Sequence, residues 1–549
     1  MNNKNSEIVL CKGIKMDKDY ENVLSYNEDS MIALCKSNDH KIYENNSYTF
    51  LEKSNNTIRI SCPYNIAMYA NYVAFRNPRF GNKWIFAWVT DVKLLSIDDT
   101  EITFEVDVWS TWYGSFNVGQ AFVEREHVDD DTIGKHTVPE ALETGDFIIN
   151  SLEEFGNNVM NTKYIAMAYS GNPQTFFPSY TSGKIYSGLY TGYNYMIFAS
   201  SQDAESMIQG FADNGALEKI YALFTIPTGL IRSSVHWYNS PNASESDIIE
   251  VGDGNYPMFA LVPSDPSATY EEITMQSSTN FNINSTINGY TPKNNKLFTG
   301  DYNYIYATNN CGSDVKFNYE DFINNQPSFK ISGVISLGCS IKLIPLNYKK
   351  YDTTSTTNSE YIYGLNASKY PTLGWVGDAY TNWLTQNAIN IGTSLVSAGV
   401  STLTSAFTGN PLYAFGGLMD ITNKLGTLRQ HQLVSETGQG NLNCGDLTYS
   451  SKKMNFTLYR MSIKEEYAKI IDNYFSRFGY KVNEVKTPNL NSRTKFNFIK
   501  VGGMDELISG NIPASDLEKI NQICRKGVTI FHNYDDIGNY TISNPIVTP

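Results

Sequence analysis

The side chains able to do chemistry are few in this chain and thinly spread. Six histidines and seven cysteines punctuate 549 residues. The cysteines are Cys11, Cys35, Cys62, Cys311, Cys339, Cys444 and Cys524; no two form a C-x-x-C pair, and the closest spacing is 24 residues. Zinc needs clustered ligands, so this spread argues against a zinc site. An odd, scattered set reads as buried free thiols in a chain made in a reducing cytosol. One dense acidic cluster surrounds His127: Glu124, Glu126, Asp129, Asp130 and Asp131. Such carboxylates could hold a divalent cation through oxygen. The Asp-x-Asp-x-Asp-Gly frame of a calcium loop is missing, and the cluster reads as a solvated acidic connector. His431 and His532 stand singly and read as packing or surface residues. No G-x-S-x-G and no phosphate loop of the G-x-x-x-x-G-K form occurs. The carboxylate pairs of polysaccharide hydrolysis meet only in a fold, so spacing cannot single them out. No catalytic residue, cofactor or metal is assigned, and an enzyme has no support in the residues.

Composition narrows the class. The charge is 42 − 56 = −14, only 18% of residues are charged, and 13% are aromatic. That aromatic content excludes a disordered chain. The mean hydropathy of −0.33, with no run of about 20 purely apolar residues, excludes a multi-pass membrane protein. An acidic chain is a poor general ligand for phosphate backbones. The first twenty residues hold no apolar core and no cleavage site, so no secretory signal is expected.

The elements that would position any site are mostly strands. Residues 57–60, 66–76, 84–95 and 101–109 are β-branched and aromatic. In the last, Ile102, Phe104, Val106 and Val108 alternate with Thr103, Glu105 and Asp107, one face buried and one wet. Asp98 and Asp99 read as a hairpin turn. Residues 1–125 are expected to form an antiparallel sheet or barrel, and 126–150 a polar connector. Residues 151–370 return to short strands, among them 163–168, 194–199, 220–226 and 341–345, with a short helix over 202–213 and a very polar loop over 276–296. Residues 441–549 read as α+β. Ser462 to Glu465 is a capping box opening an amphipathic helix over about 463–478, with Tyr467, Ile470, Ile471, Tyr474, Phe475 and Phe478 at 3/4 spacing and Gly479 ending it. Ser515 to Glu518 is a second capping box, before Leu517, Ile520, Ile523 and Cys524, stopped by Gly527. Strands are expected at 454–460, 495–501 and 528–534. The fold class is mainly β with an α+β C-terminal part.

Residues 371–440 break this pattern. Between Asp378 and Asp420 run 41 residues, 379–419, without one charged side chain. Composition alone would place about seven charges there. An ordinary core helix keeps a charged face; neither face has one here. The apolar residues are Trp383, Leu384, Ile391, Leu395, Val396, Val400, Leu403, Phe407, Leu412, Phe415 and Leu418. Ser394, Ala398, Thr402 and Ala406 form a ridge of small residues at i, i+4, of the kind that lets helices approach closely in lipid. A helical hairpin or long low-charge loop is expected, active at a membrane or plugging a lumen, with a buried structural helix pair as the other reading.

Three long stretches carry a resemblance: YANYVAFRNPRFGNKWIFAWVTDV, TFEVDVWSTWYGSF and FVEREHVDDDTIGKHTVPEALETGDF. With MNFTLYRMSIKEEYAKIIDNYFSRFGYKVNEVKTPNLNSRTKFNFIKV and SGNIPASDLEKINQICRKGVTIFH, they resemble the tail knob proteins of small short-tailed phages of the Salasmaviridae type. The resemblance covers about the first 150 and the last 170 residues. It implies a hexameric, mostly β tube at the distal end of a virion tail, built from copies of this chain and joined to other tail and collar proteins. DNA would pass through the lumen without specific binding. A long loop in the place of 379–419 would plug the tube and, when expelled, form a pore in the host membrane. The loop here is only moderately apolar and rich in Ser and Thr, a departure from that pattern. The alternative is a receptor-binding adhesin or tail fibre, with a pore-forming toxin and a wall-degrading enzyme behind it.

Overall fold

The structure, a computed structural model, describes residues 6–48, 52–53, 56–78, 81–159, 162–169, 184–186, 189–191, 194–213, 219–231, 236–245, 248, 254, 256–261, 273–277, 281–309, 314–333, 340–346, 372–374, 455–503 and 506–547. They are mostly strands in several antiparallel sheets, with some helices. The chain forms two compact units, one of Met1–Gly145, Gly289–Leu297 and Lys464–Pro549, the other of Asp146–Asn288 and Phe298–Ile463.

The first unit is built on a seven-stranded antiparallel sheet in the order Lys41–Tyr48, Ser6–Cys11, Tyr72–Arg76, Trp84–Leu94, Thr100–Val106, Thr57–Ile60 and Glu52–Lys53. Its central strands are near-continuous apolar runs because both faces are buried. Val9, Cys11, Tyr72, Ala74, Phe86 and Trp88 pack on one side. Ile8, Leu10, Val73, Phe75, Ala87, Ile102 and Phe104 pack on the other. The alternation expected from Ile102 and Phe104 holds through Glu105. It stops at Asp107, which is buried rather than wet. Asp107 Oδ1 accepts the Ser110 amide at 3.1 Å and caps a short helix, Val108–Trp112, where an extended strand was expected. Asp107 Oδ2 also accepts the Tyr72 hydroxyl at 2.7 Å. Those two bonds satisfy a carboxylate that the strand reading left in water.

A second sheet of this unit runs Asn22–Leu24, Val528–Phe531, Phe496–Val501, Ala121–Glu126 and Tyr480–Lys486. Its first pair is parallel and the rest antiparallel. Strands from opposite ends of the sequence are therefore interleaved in one sheet. Val23, Val108, Trp109 and Ala121 share one apolar cluster with Ile499, Ile508, Ile520, Cys524 and Ile530. The C-terminal helices are Glu465–Phe478 and Ala514–Lys526, ended by Gly479 and Gly527 as the sequence predicts.

Neither expected capping box forms. Lys464 and Pro513 occupy the N-cap positions, without side-chain caps. Ser462 is the last residue of the strand Phe456–Ser462, and its backbone pairs with Ile148 on one side and Asn303 on the other. Ser515 lies inside its helix. The stripe on Glu465–Phe478 is also rotated from expectation: Ala468, Ile471, Asp472 and Phe475 are buried, and Ile470 is 66% exposed.

Among the described residues the second unit holds three larger sheets and a hairpin, Lys184–Tyr186 with Leu189–Thr191. One sheet orders Ile148–Phe155, Phe456–Ser462, Asn303–Thr308 and Asp314–Asn318. Another orders Ile220–Pro227, Thr162–Tyr169, Asn194–Phe198, Phe259–Leu261 and Trp237–Tyr238, with the helix Ser201–Asp213 packed against it. The third orders Ile273–Ser277, Ser328–Gly333, Ser340–Leu346 and Thr372–Gly374. One core of Phe155, Ile197, Ile305, Phe317, Phe322, Phe329, Ile331, Leu343 and Leu458 joins them.

Candidate functional site

Residues 379–419, and with them every expected membrane-active or helix-contact residue from Trp383 to Leu418, lie outside the described residues. What is described is where the surrounding chain is fixed. Thr372–Gly374 pairs with Ser340–Lys342 on the N-terminal side. Phe456–Ser462 follows on the C-terminal side, paired on both edges inside a different sheet of the same unit. The segment between is thus held at each end by backbone pairing. No helix among the described residues is long and apolar enough to cross a membrane.

The acidic cluster around His127 is in part the solvated face that its composition suggests, with Asp129 exposed and Glu124 and Asp130 partly so, and in part buried. The strand Ala121–Glu126 buries Arg125, Glu126 and His127 against the C-terminal strands, and the fold gives the nearby carboxylates separate partners. Glu124 pairs with Lys500 at 2.9 Å and Glu126 with Lys486 at 2.5 Å. Asp130 pairs with Lys135 at 2.6 Å, and bonds from Lys135 and Thr132 hold its carboxyl below the usual range. Asp131 accepts the Tyr480 hydroxyl at 2.5 Å and the Asn295 amide at 3.0 Å. Burial raises the Glu126 and Asp131 carboxyls. Among the described residues no three His, Cys, Asp or Glu side chains stand where they could hold a metal ion.

Three residues that the sequence did not single out complete this buried polar region. Glu140 has no exposed side-chain surface; it pairs with Arg125 and, at 2.5 Å, with Lys296. The Lys296 ammonium lies 5.3 Å from the Tyr480 ring centre and 5.7 Å from that of Phe475. Asp472 accepts the Tyr290 hydroxyl at 2.7 Å, the Lys293 and Asn294 amides at 2.9 and 3.1 Å, and the Asn294 side-chain amide at 2.8 Å. The polar stretch expected to be a loop over 276–296 is, in its second half, tied to Asp472 and Asp131 by these bonds and those of Asn295. One local signal existed: Asp472 interrupts the apolar face of its helix between Ile471 and Phe475.

The histidines have structural partners. His127 Nδ1 accepts the Phe498 amide at 2.7 Å, and its Nε2 lies 3.1 Å from the Ser476 carbonyl. Burial, aided by Arg493 and Arg125, pushes this ring down to about 3, so it is neutral. His532 Nδ1 lies 3.0 Å from Ser25 Oγ, and its Nε2 lies 3.0 Å from Asn497 Oδ1. A serine facing a ring nitrogen, with a third group orienting the ring, is also how nucleophiles are activated. Here Asn497 additionally bonds the Arg493 amide, Ser492 Oγ and the Asn489 carbonyl, and the Ser25 amide bonds the Phe531 carbonyl. These bonds stitch strands together. Cys11, Cys35, Cys62 and Cys524 are free and buried; Cys311, Cys339, Cys444 and His431 lie outside the described residues.

Known proteins supply what the side chains do not. Residues 267–545, more than half of the chain, match the family described as Bacillus phage phi29, Tail knob protein gp9, C-terminal domain. Residues 4–117 match the Caudoviral major tail protein N-terminus. The chain is 23% identical to the Tail knob protein gp9 of Bacillus phage phi29, with 98% of each chain covered. Its identity to the protein of that name from Bacillus phage PZA is 22%, again over 98% of each. Among solved structures, the fold is like that of the bacteriophage C1 tail knob protein, gp12, with a TM-score of 0.57 at 15% identity over 99% of this chain and 100% of that one. The chain belongs to the family of the phi29 tail knob protein gp9, structural proteins of the virion tail and not enzymes.

Proposed function

We propose that this chain is the subunit of a closed tube, a homohexamer, at the distal end of a phage tail. The tube joins other tail and collar proteins and conducts DNA during genome ejection. Segment 379–419 plugs its lumen and, once released, enters the host membrane to form a pore. The observation that carries this reading is the run of 41 residues without a charge in a chain of the tail knob family. Its apolar residues, from Trp383 to Leu418, would face lipid, and the ridge Ser394, Ala398, Thr402 and Ala406 would bring helices together. Strand pairing at Thr372–Gly374 and Phe456–Ser462 supports it, because a segment tied at both ends can leave a lumen without leaving the protein.

Elementary physics favours the conduit. A wall of net negative charge offers DNA no counterion release, so the polymer slides rather than sticks. Sheets closed into a ring lose the free edges that would aggregate. Head-to-tail contacts between identical subunits close into such rings.

The pore is tested with a peptide spanning 379–419 and dye-loaded liposomes at acid and neutral pH. Leakage is expected, and its absence under every condition removes the pore while leaving the tube. A projection image of the purified protein tests the tube. A sixfold ring is expected; a trimer without a lumen would favour a fibre or adhesin instead.

A further inference from the structure

We propose that residues 289–297 are a clasp through which the two compact units fold and unfold as one. The chain enters the first unit at Gly289 and returns to the second after Leu297. Between those points, Tyr290, Lys293 and Asn294 bond to Asp472, Asn295 bonds to Asp131, and Lys296 pairs with Glu140. Asp472 comes from the C-terminal helix, Asp131 and Glu140 from the N-terminal segment. Asp472, Asn294, Lys296 and Leu297 are all buried. Removing the span would leave donors and acceptors from both ends of the sequence unpaired inside the unit, each at a desolvation cost.

Capture of the span also divides the intervening chain into two loops, 146–288 and 298–463, each of which must be closed. Closing a loop of disordered chain costs entropy that grows with its length. When the second unit is folded, its own pairing has already restricted both loops. The first unit is therefore more stable when the second is folded, and by thermodynamic linkage the second gains equally from the first. The coupling belongs to the clasp and does not depend on hexamer or pore formation.

The test is urea unfolding of the full-length chain, with pulsed hydrogen exchange read by mass spectrometry on peptides from both units in one sample. Peptides over 303–308 and 496–501 should lose protection at one urea midpoint in the wild type. Three variants weaken the clasp in steps: Tyr290→Phe removes one hydroxyl, Lys296→Met removes the ammonium but keeps the bulk, and Asp472→Asn removes the charge. The midpoints should separate, the first unit unfolding earlier, by amounts that grow along the series. If Asp472→Asn does not fold, the two milder variants decide. Separate midpoints in the wild type, or coincident midpoints in every variant that folds, overturn the proposal. Glu320→Gln, placed in the second unit, serves as a control and should leave the midpoints together.

Discussion

Glu320 accepts the Gly300 amide with both carboxylate oxygens, at 2.9 and 3.1 Å, in a turn of the second unit. Burial, reinforced by Asp321 and Asp301, pushes its carboxyl up from 4.5 to about 7 against those bonds. The folded state therefore holds a proton that the unfolded chain gives up between pH 4.5 and 7. The contribution to stability is full below pH 4.5 and is lost as pH rises through about 7. Glu320→Gln removes the cost of the buried charge and keeps one acceptor. It should stabilise the protein by about 2 kcal/mol at pH 8 and by close to nothing at pH 4.5. Equal midpoint shifts in urea at the two pH values would contradict this. His127 has the opposite sign: its ring titrates from 6.5 in the unfolded chain to about 3 in the fold, so its contribution is present above pH 6.5 and fades as pH falls toward 3. Neither environment was legible in the sequence. Nothing in the sequence singles out Glu320, and His127 sits among acids that suggest solvent. Their donors and cations, Gly300 for one and Phe498, Arg493 and Arg125 for the other, are up to 371 residues away.

Among the elements, those with a clear apolar period were legible. The helix expected over 202–213 spans Ser201–Asp213, and the strand expected over 57–60 spans Thr57–Ile60. Helix ends set by glycine were legible too, because a left-handed residue is a local requirement. Gly479 has φ +65°, and a Cβ there would overlap the Glu126 carbonyl oxygen. Gly479→Ala should cost about 4 kcal/mol or more, since both its backbone conformation and the adjoining backbone oppose a side chain. A urea midpoint close to that of the wild type would refute the steric account. Helix starts were misread for a physical reason. A capping box requires the helix to begin directly after Ser462 and the Ser462 hydroxyl to accept the Glu465 amide, whereas Ser462 is held by pairing on both sides and its hydroxyl accepts the Asn150 side-chain amide and donates to the Ile463 carbonyl. Two backbone ladders and a buried position outweigh one side-chain cap.

At the scale of the molecule, the first unit needs both ends of the sequence. Asn22–Leu24 pairs with Val528–Phe531, and Ala121–Glu126 lies between Phe496–Val501 and Tyr480–Lys486. A fragment of residues 1–145 would leave Val23, Trp109 and Ala121 without Ile499, Ile520 and Ile530. It should bind a hydrophobic dye and melt without a cooperative transition. A cooperative transition with native-like near-ultraviolet circular dichroism would show that the N-terminal sheet is self-sufficient. The first unit therefore cannot be completed before Val528–Phe531 has been made, a long-range topology that slows completion of folding.

The sequence by itself determined the mostly β class, the C-terminal helices, the free thiols at Cys11, Cys35, Cys62 and Cys524, the uncharged run 379–419 and the resemblance to tail knob proteins. Each is a matter of local pattern, and side-chain periodicity expresses itself within a few residues. Only the tertiary structure decided that the terminal segments share one unit, that 289–297 crosses into it, that Glu140 and Lys296 are buried as a pair, and that Asp472 is buried against Asn294. A polar side chain is buried when distant partners reach it, and the identity of those partners is written nowhere near it in the chain.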